Sequence, residues 1–461
     1  MGEMAAEAMK DHRSRHREEA DAVTIRLPSP LRAGACKSIA ALFFGLSLSA
    51  IADPSSRRVE EVARETESMR SRLIETRRDI HRHPELSNRE ERTSALVVQR
   101  LRELGLEDIR TNVAHHGVVA LLKGGKPGPV VAIRADLDAL PINETLDVPY
   151  KSMVPGVKHA CGHDAHTTIA LGVAEVLSRM RGEIHGTVKF LFQPAEEGPP
   201  AGEEGVAALM IKEGALEHPR PLAIYGLHTT PETEAGRIGF RAGPAQAAFD
   251  LFTITLRGKA AYAAWPEKGV DTMLVAAEAI QAIQSIKSRR LSAFDPVLIT
   301  IGKIQGGKSP HTIAEEIKLE GTVRVFNEEV RKRIEELMRE TLAGVTSAYG
   351  ATYDLDYRHG TMVVYNDPKL VEESLPSIRK TVGETNVFEF PQRMGAEDFS
   401  YYEQVIPGFF LRLGSGNKAK GIVAESHTAL FDIDEQCLVT GVEVMSNLVL
   451  DFLDRHAAER K

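Results

Sequence analysis

Eight consecutive residues, His159-Ala160-Cys161-Gly162-His163-Asp164-Ala165-His166, bring together three imidazoles, a thiol and a carboxylate. Cys161 and His163 stand one residue apart, so in a loop or extended turn both side chains converge on one ion. A thiolate and a neutral imidazole suit a borderline metal such as Zn²⁺, and nearby carboxylates admit Mn²⁺ or Co²⁺. Taken alone, a Cys-x-His pair is equally well a His-rich surface loop beside a buried cysteine. Further ligand types elsewhere tell against that: Glu196-Glu197 follows an apolar run, His228 ends another, and His427 comes late in the chain. A metal ion that activates a water needs a carboxylate beside it to accept a proton. Consecutive glutamates on an extended segment point to opposite sides, so one can face metal while the other needs a bend to reach the water. Pro194 and Gly198 offer such a bend.

Ligands of this kind need rigid supports. Residues 59–82 and 88–104 are charged with helical spacing, broken at Pro84, and the second ends at Gly105 as a helix C-cap does. Short β-branched runs at 118–122 and 130–134 predict strands joined by a Gly-Gly-Lys-Pro-Gly turn. Helical spacing over 167–180 then puts the metal stretch at a strand-to-helix connection, where α/β folds place their sites. A strand at 187–192 delivers the glutamate pair, a helix lies near 207–213, and a strand at 222–226 delivers His228. Alternating strands and helices with chemistry at the strand ends predict an α/β domain with a mainly parallel sheet.

From about 244 the rhythm becomes strand (251–256), helix (272–287), strand (296–304), strand (316–325), helix (328–349) and strand (352–357). That βαββαβ order predicts a ferredoxin-like satellite interrupting the first domain. A helix at 368–382, a strand at 409–413, His427 and a last helix at 434–453 complete the chain. The expected organisation is an N-terminal extension with signal peptide at 1–52, a catalytic domain at 53–243 and 360–461, and the satellite at 244–359.

A chain of 461 residues, 43% hydrophobic and 26% charged, exceeds one small core and reads as a soluble protein of more than one domain. The net charge of −8 leaves no basic footprint and argues against a nucleic-acid partner. Cys36, Cys161 and Cys437 make no disulfide framework. Arg32 and Lys37 precede an apolar run at 38–48 that is too short to span a bilayer, and Ala50-Ile51-Ala52 fits a small-x-small cleavage site. Export with cleavage after Ala52 is expected, leaving a periplasmic or secreted protein with no membrane attachment.

The motifs His-Ala-Cys-Gly-His-Asp-Ala-His at 159–166, Gln-Pro-Ala-Glu-Glu-Gly at 193–198, Gly-Leu-His at 226–228, Met-Gly-Ala-Glu-Asp-Phe-Ser at 394–400 and Ser-His-Thr-Ala-Leu-Phe at 426–431 together resemble the M20 metallopeptidases. The likeness is to the amidohydrolase branch of N-acyl-amino-acid, hippurate and auxin-conjugate hydrolases, and it runs from Arg77 onward. The resemblance implies two divalent ions held by Cys161, His163, Glu197, His228 and His427, with Glu196 as general base. It also implies a homodimer joined through the satellite. Asp136 and Asp138 resemble a segment near the site and are candidates for orienting the histidines, as are Asp164 and His166. Where the family has a satellite histidine that reaches a partner's substrate carbonyl, this chain has Tyr262, whose phenol can donate a hydrogen bond to a developing oxyanion. The segment His311-Thr312-Ile313-Ala314-Glu315 departs from the family's Asn-x-Ile-Pro-Asp, which makes His311 a further candidate substrate contact, while Arg324 is kept and is suited to bidentate pairing with a substrate carboxylate.

The expected activity is metal-dependent hydrolysis of the amide bond in N-acyl amino acids or related small peptide-like substrates. Alternatives are a dipeptidase or carboxypeptidase of the same family, or a metal-binding descendant impaired in turnover. The retained Glu196 favours an enzyme.

Overall fold

The computed structural model describes residues 54–458, with side chains from 56 onward. The expected signal segment at 1–52, with Cys36, lies outside the described residues. In chain order the strands are β1 (Glu107–Val113), β2 (Gly117–Lys123), β3 (Lys126–Asp136), β4 (His185–Gln193), β5 (Ala223–Glu234), β6 (Ile238–Phe240), β7 (Gly243–Gln246), β8 (Ala248–Arg257), β9 (Val297–Gly306), β10 (Glu316–Val325), β11 (Thr352–His359), β12 (Val364–Asn366), β13 (Val387–Glu389) and β14 (Gly408–Gly416).

One sheet has the order β1-β2-β4-β3-β5-β14-β6-β13. Its inner strands β4, β3, β5 and β14 are parallel, β2 and β1 add antiparallel at one edge, and β14 meets β6 antiparallel. The turn expected after 118–122 exists, but the strands it joins are not neighbours, because β4 lies between β2 and β3. Instead of closing a hairpin, the amide of Gly124 donates to the carbonyl of Gly186 at the start of β4, and that of Gly125 to the carbonyl of Arg181 just before it. The edge strand β1 escaped the sequence reading because its residues are mostly exposed and lack apolar alternation.

Alternation along the inner strands builds two cores. Val131, Ile133 and Ala135, Val188, Phe190 and Phe192, and Phe409, Leu411 and Leu413 face one layer, while Ala132, Leu191, Ile224 and Phe410 face the other. The first layer holds the helices Arg70–Arg82, Glu91–Glu103, His163–Arg179, Pro368–Val382 and Gln436–Ala458, and the second holds Val206–Lys212 and Ser400–Glu403. Gln436–Ala458 is long and apolar enough to cross a membrane, yet 83% of its most apolar window is buried in the protein; it is the central helix of the larger core.

A second sheet, β11-β8-β10-β9, is antiparallel throughout. Helices Thr272–Arg289 and Glu328–Tyr349 cover one face of it, capped by the side chains of Asp271 and Asn327, and bury Val275, Ile283, Ile334 and Leu337 against Ile254, Leu256 and Leu319. This is the ferredoxin-like arrangement. A buried ion pair ties its strand β8 to its helix Glu328–Tyr349. Asp250 on β8 accepts from Arg331 Nε at 3.0 Å and from Arg331 Nη2, and also from the Tyr357 hydroxyl at 2.9 Å and the Gly360 amide at 3.1 Å.

Both members of this pair are almost wholly buried, so removing one strands the other's charge. Asp250→Ala is expected to lower the free energy of unfolding by about 3 kcal/mol. Denaturant titration of parent and variant measures this, and a loss below about 1 kcal/mol would show that Arg331 finds adequate compensation in Glu328.

Candidate metal centre

The helix His163–Arg179 begins at a tight junction. Gly162, with φ +98°, separates Cys161 from His163, and a Cβ there would lie 2.1 Å from Thr229 Oγ1. That hydroxyl donates to the Cys161 carbonyl at 3.2 Å, so the loop is held against β5 directly beside His228. Only glycine meets both the left-handed backbone and the close approach. The glutamate pair follows the end of β4, and the bend is made by Ala195, at φ +54°, together with Gly198, at φ +104°. The Asp138 carboxylate accepts from the amides of Glu196 (3.1 Å) and Glu197 (3.0 Å), and Glu90 accepts from that of Ala195 (2.9 Å). His427, at φ +64°, donates its backbone amide to the Ala160 carbonyl at 2.7 Å, which brings the last segment to the same point.

The side chains converge. Cys161 Sγ lies 3.3 Å from Nε2 of both His228 and His427, and His427 Nε2 lies 3.2 Å from Glu197 Oε1. His163 Nε2 is 3.9 Å from Glu197 Oε1 and 3.7 Å from Glu196 Oε2. Cys161 belongs to two donor triplets, one with His163 and His228 and one with Glu197 and His427, each within 4.8 Å. Thiol, imidazole and carboxylate donors in this number fit a pair of borderline divalent ions. Among the described residues His163 Nε2 is buried without a hydrogen-bond partner, as a ligand atom is.

The histidines are oriented from behind. Nδ1–H of His163 donates to the Asp138 carbonyl at 2.9 Å and Nδ1–H of His228 to the Thr229 carbonyl at 2.6 Å, which leaves both Nε2 atoms as the basic ones. His166 is different: its Nδ1 donates to Asp136 at 2.7 Å and its Nε2 accepts the Thr229 amide at 2.9 Å. Both of its nitrogens are engaged, so it braces β5 next to His228. Asp136 in turn accepts from Arg134, which also reaches Glu397 and Asp398. Asp164 points away from the cluster to Arg77 and His81.

Burial, with Arg412 beside it, holds His228 well below the usual imidazole range, in the neutral form that ligates. Burial and the Glu197 charge push the Cys161 thiol well up, an effect that a bound cation reverses. Burial and the charges of Glu397 and Glu197 likewise raise the Glu196 carboxyl well above the usual carboxylate range.

The cluster opens into a cleft of about 630 Å³, walled by both sheets. Arg324 of β10 lines it, donating to the Met394 carbonyl at 2.7 Å with its guanidinium over the Phe249 ring. Tyr262 and His311 do not line the cleft of their own chain. They lie together on the satellite, where the Ala263 amide donates to the His311 carbonyl at 3.0 Å. Glu397 of the 394–400 motif lines it too, as do three residues with no place among the candidates above: Gln246, Arg393 and Arg412. Arg412 had a sequence signal, a lone cation within the apolar run Phe409-Phe410-Leu411-Arg412-Leu413.

Comparison with known proteins agrees with this architecture. The sequence pattern of peptidase family M20/M25/M40 matches residues 132–451. An N-acetylcysteine deacetylase of Bacillus subtilis is 36% identical, the alignment covering 83% of this chain and 97% of that protein. Thermostable carboxypeptidase 2 of Saccharolobus solfataricus is 33% identical over 86% of this chain and 99% of its own length. A crystal structure described as a dinuclear metal-binding peptidase of the M20 family from Bacillus subtilis superposes with a TM-score of 0.73 at 33% identity, covering 84% of this chain and 99% of that one. The chain belongs to peptidase family M20/M25/M40.

Proposed function

We propose that the protein is a two-metal amidohydrolase that cleaves N-acyl amino acids to a carboxylate and a free amino acid. The observation that carries this reading is the convergence of Cys161, His163, Glu197, His228 and His427 beside the buried carboxyl of Glu196 in one cleft. These five residues would hold two divalent ions, which would supply Lewis acidity toward an amide carbonyl and a water. Glu196 accepts a proton from the attacking water as its oxygen bonds to the acyl carbon. It delivers that proton to the amide nitrogen as the C–N bond breaks. Arg324 holds the α-carboxylate, since no side-chain carboxylate occupies it among the described residues. Asp138 keeps Glu196, Glu197 and His163 in register. Relatives named as deacetylase and as carboxypeptidase support acyl amide and peptide amide cleavage alike.

Tyr262 serves a second copy of the chain in this reading. Its ring packs edge-to-face on Trp265 at 5.4 Å, and each is 54% exposed, so the phenol is free to reach a partner's cleft. Export of the mature chain is a further part of the proposal, supported by the apolar run at 38–48. N-terminal sequencing of protein from the cell exterior or periplasm should begin at Asp53; a cytoplasmic chain that keeps residues 1–52 would overturn it.

Glu196→Gln is expected to keep bound metal and lose turnover roughly 10²-fold or more, whereas Glu197→Gln and Cys161→Ser should lose metal. Metal analysis beside hydrolysis of N-acetyl amino acids separates these roles, and equal metal loss in both glutamate variants would refute the division. Light scattering should give twice the chain mass, and Tyr262→Phe should cut turnover by about 10²-fold at constant metal content. Unchanged turnover in that variant would reduce Tyr262 to a packing residue.

A further inference from the structure

Among the charged groups lining the cleft, the carboxylates are engaged and two cations are not. Glu197 faces His427, Glu232 pairs with Arg393 at 2.8 Å, and Glu397 pairs with Arg134 at 3.1 Å. Among the described residues Arg324 donates to the Met394 carbonyl and lies over the Phe249 ring, with no carboxylate partner. Arg412 is the more exceptional, since it is 93% buried by its 7% exposure yet has no carboxylate within ion-pair distance among the described residues. Its Nη2 donates to Gln246 Oε1, its Nε is buried with no acceptor, and it lies between the Phe390 and Phe410 rings. Gln246 is itself 4% exposed, and its Nε2 also lacks a partner. Burial and the neighbouring Arg393 lower Arg412 to about 10, which leaves it cationic at neutral pH.

Burying an uncompensated guanidinium is costly, and the same charge rewards any anion that reaches it. Arg412 stands on β14 directly across from His228 on β5, so an anion bound there sits beside the metal ligands and not at the mouth of the cleft. With Arg324 committed to the α-carboxylate, a second anionic group is needed to use Arg412. We infer that Arg412, with Gln246, is a specificity subsite for a second carboxylate of the substrate, so that the preferred substrates are dicarboxylic N-acyl amino acids. The extra carboxylate belongs either to the amino acid or to the acyl group, and the two sources are separable by experiment. The inference rests on the amidohydrolase reading above.

The test uses the full metal-loaded chain and two matched pairs: N-acetyl-L-glutamate against N-acetyl-L-glutamine, and N-succinyl-L-alanine against its succinamoyl analogue. The parent is expected to prefer the charged member of one pair by at least about tenfold in kcat/KM, and the pair that shows it locates the carboxylate. Arg412→Gln should shrink that preference roughly 10- to 100-fold, in line with the loss of a charged hydrogen-bonded pair. Arg412→Lys should retain part of it, and serves as the reading if the Gln variant does not fold. Hydrolysis of the neutral members with no preference in either pair would overturn the subsite and leave the amidohydrolase reading standing. Equal preference in parent and both variants would also overturn it. Failure to hydrolyse any of the four would overturn the reading beneath it.

Discussion

The site depends on one buried carboxylate. Asp138 is 1% exposed and accepts from the amides of Glu196 and Glu197 and from the Ser87 hydroxyl, and its own carbonyl orients His163. A charge removed from water must be matched by hydrogen bonds, so these donors are obligatory in the folded state. One anion thereby holds the glutamate loop and the first histidine in a common frame. Neither could shift without leaving the other's partner unsatisfied, and that frame allows a left-handed Ala195 and His427 to persist at the cluster.

A second buried network carries the frame outward. Arg77 is fully buried and reaches Asp164 at 2.8 Å and Asp432 at 3.2 Å, which joins helix Arg70–Arg82 to the metal helix and to the segment after His427. His81 bridges Asp164 and Glu144, and Glu144 lies 3.2 Å from Lys158 just before the metal loop. Arg134 does the same on the other side by linking β3 to Glu397 and Asp398. In a low-dielectric interior such pairs are costly to break singly and specify one arrangement of the chain around the ligands. Arg412 stands outside these networks. Most of the buried charges are matched internally, and Arg412 is instead turned to the cleft beside Gln246.

Residue types and their spacing along the chain were enough to read the chemistry and the order of its supports. The Cys-x-His pair, the consecutive glutamates and the later histidines could be read directly because ligand types are scarce in apolar surroundings. The βαββαβ rhythm of the satellite was legible because periods of 2 and 3.6 survive in its strands and helices. Helix Glu328–Tyr349 and strand Glu316–Val325 lie at the bounds that their apolar pattern predicts. Pairings between distant segments came from the fold alone. That β4 enters between β2 and β3, that both His166 nitrogens are taken by Asp136 and the Thr229 amide, and that Tyr262 stands away from its own cleft follow from register across the sheets. Arg412 is the sharpest instance. In the sequence it is one cation in an apolar strand, and its lack of a carboxylate among the described residues exists only once β14 lies beside β5, because a side chain's partners are set by what the fold brings near it and not by its neighbours along the chain.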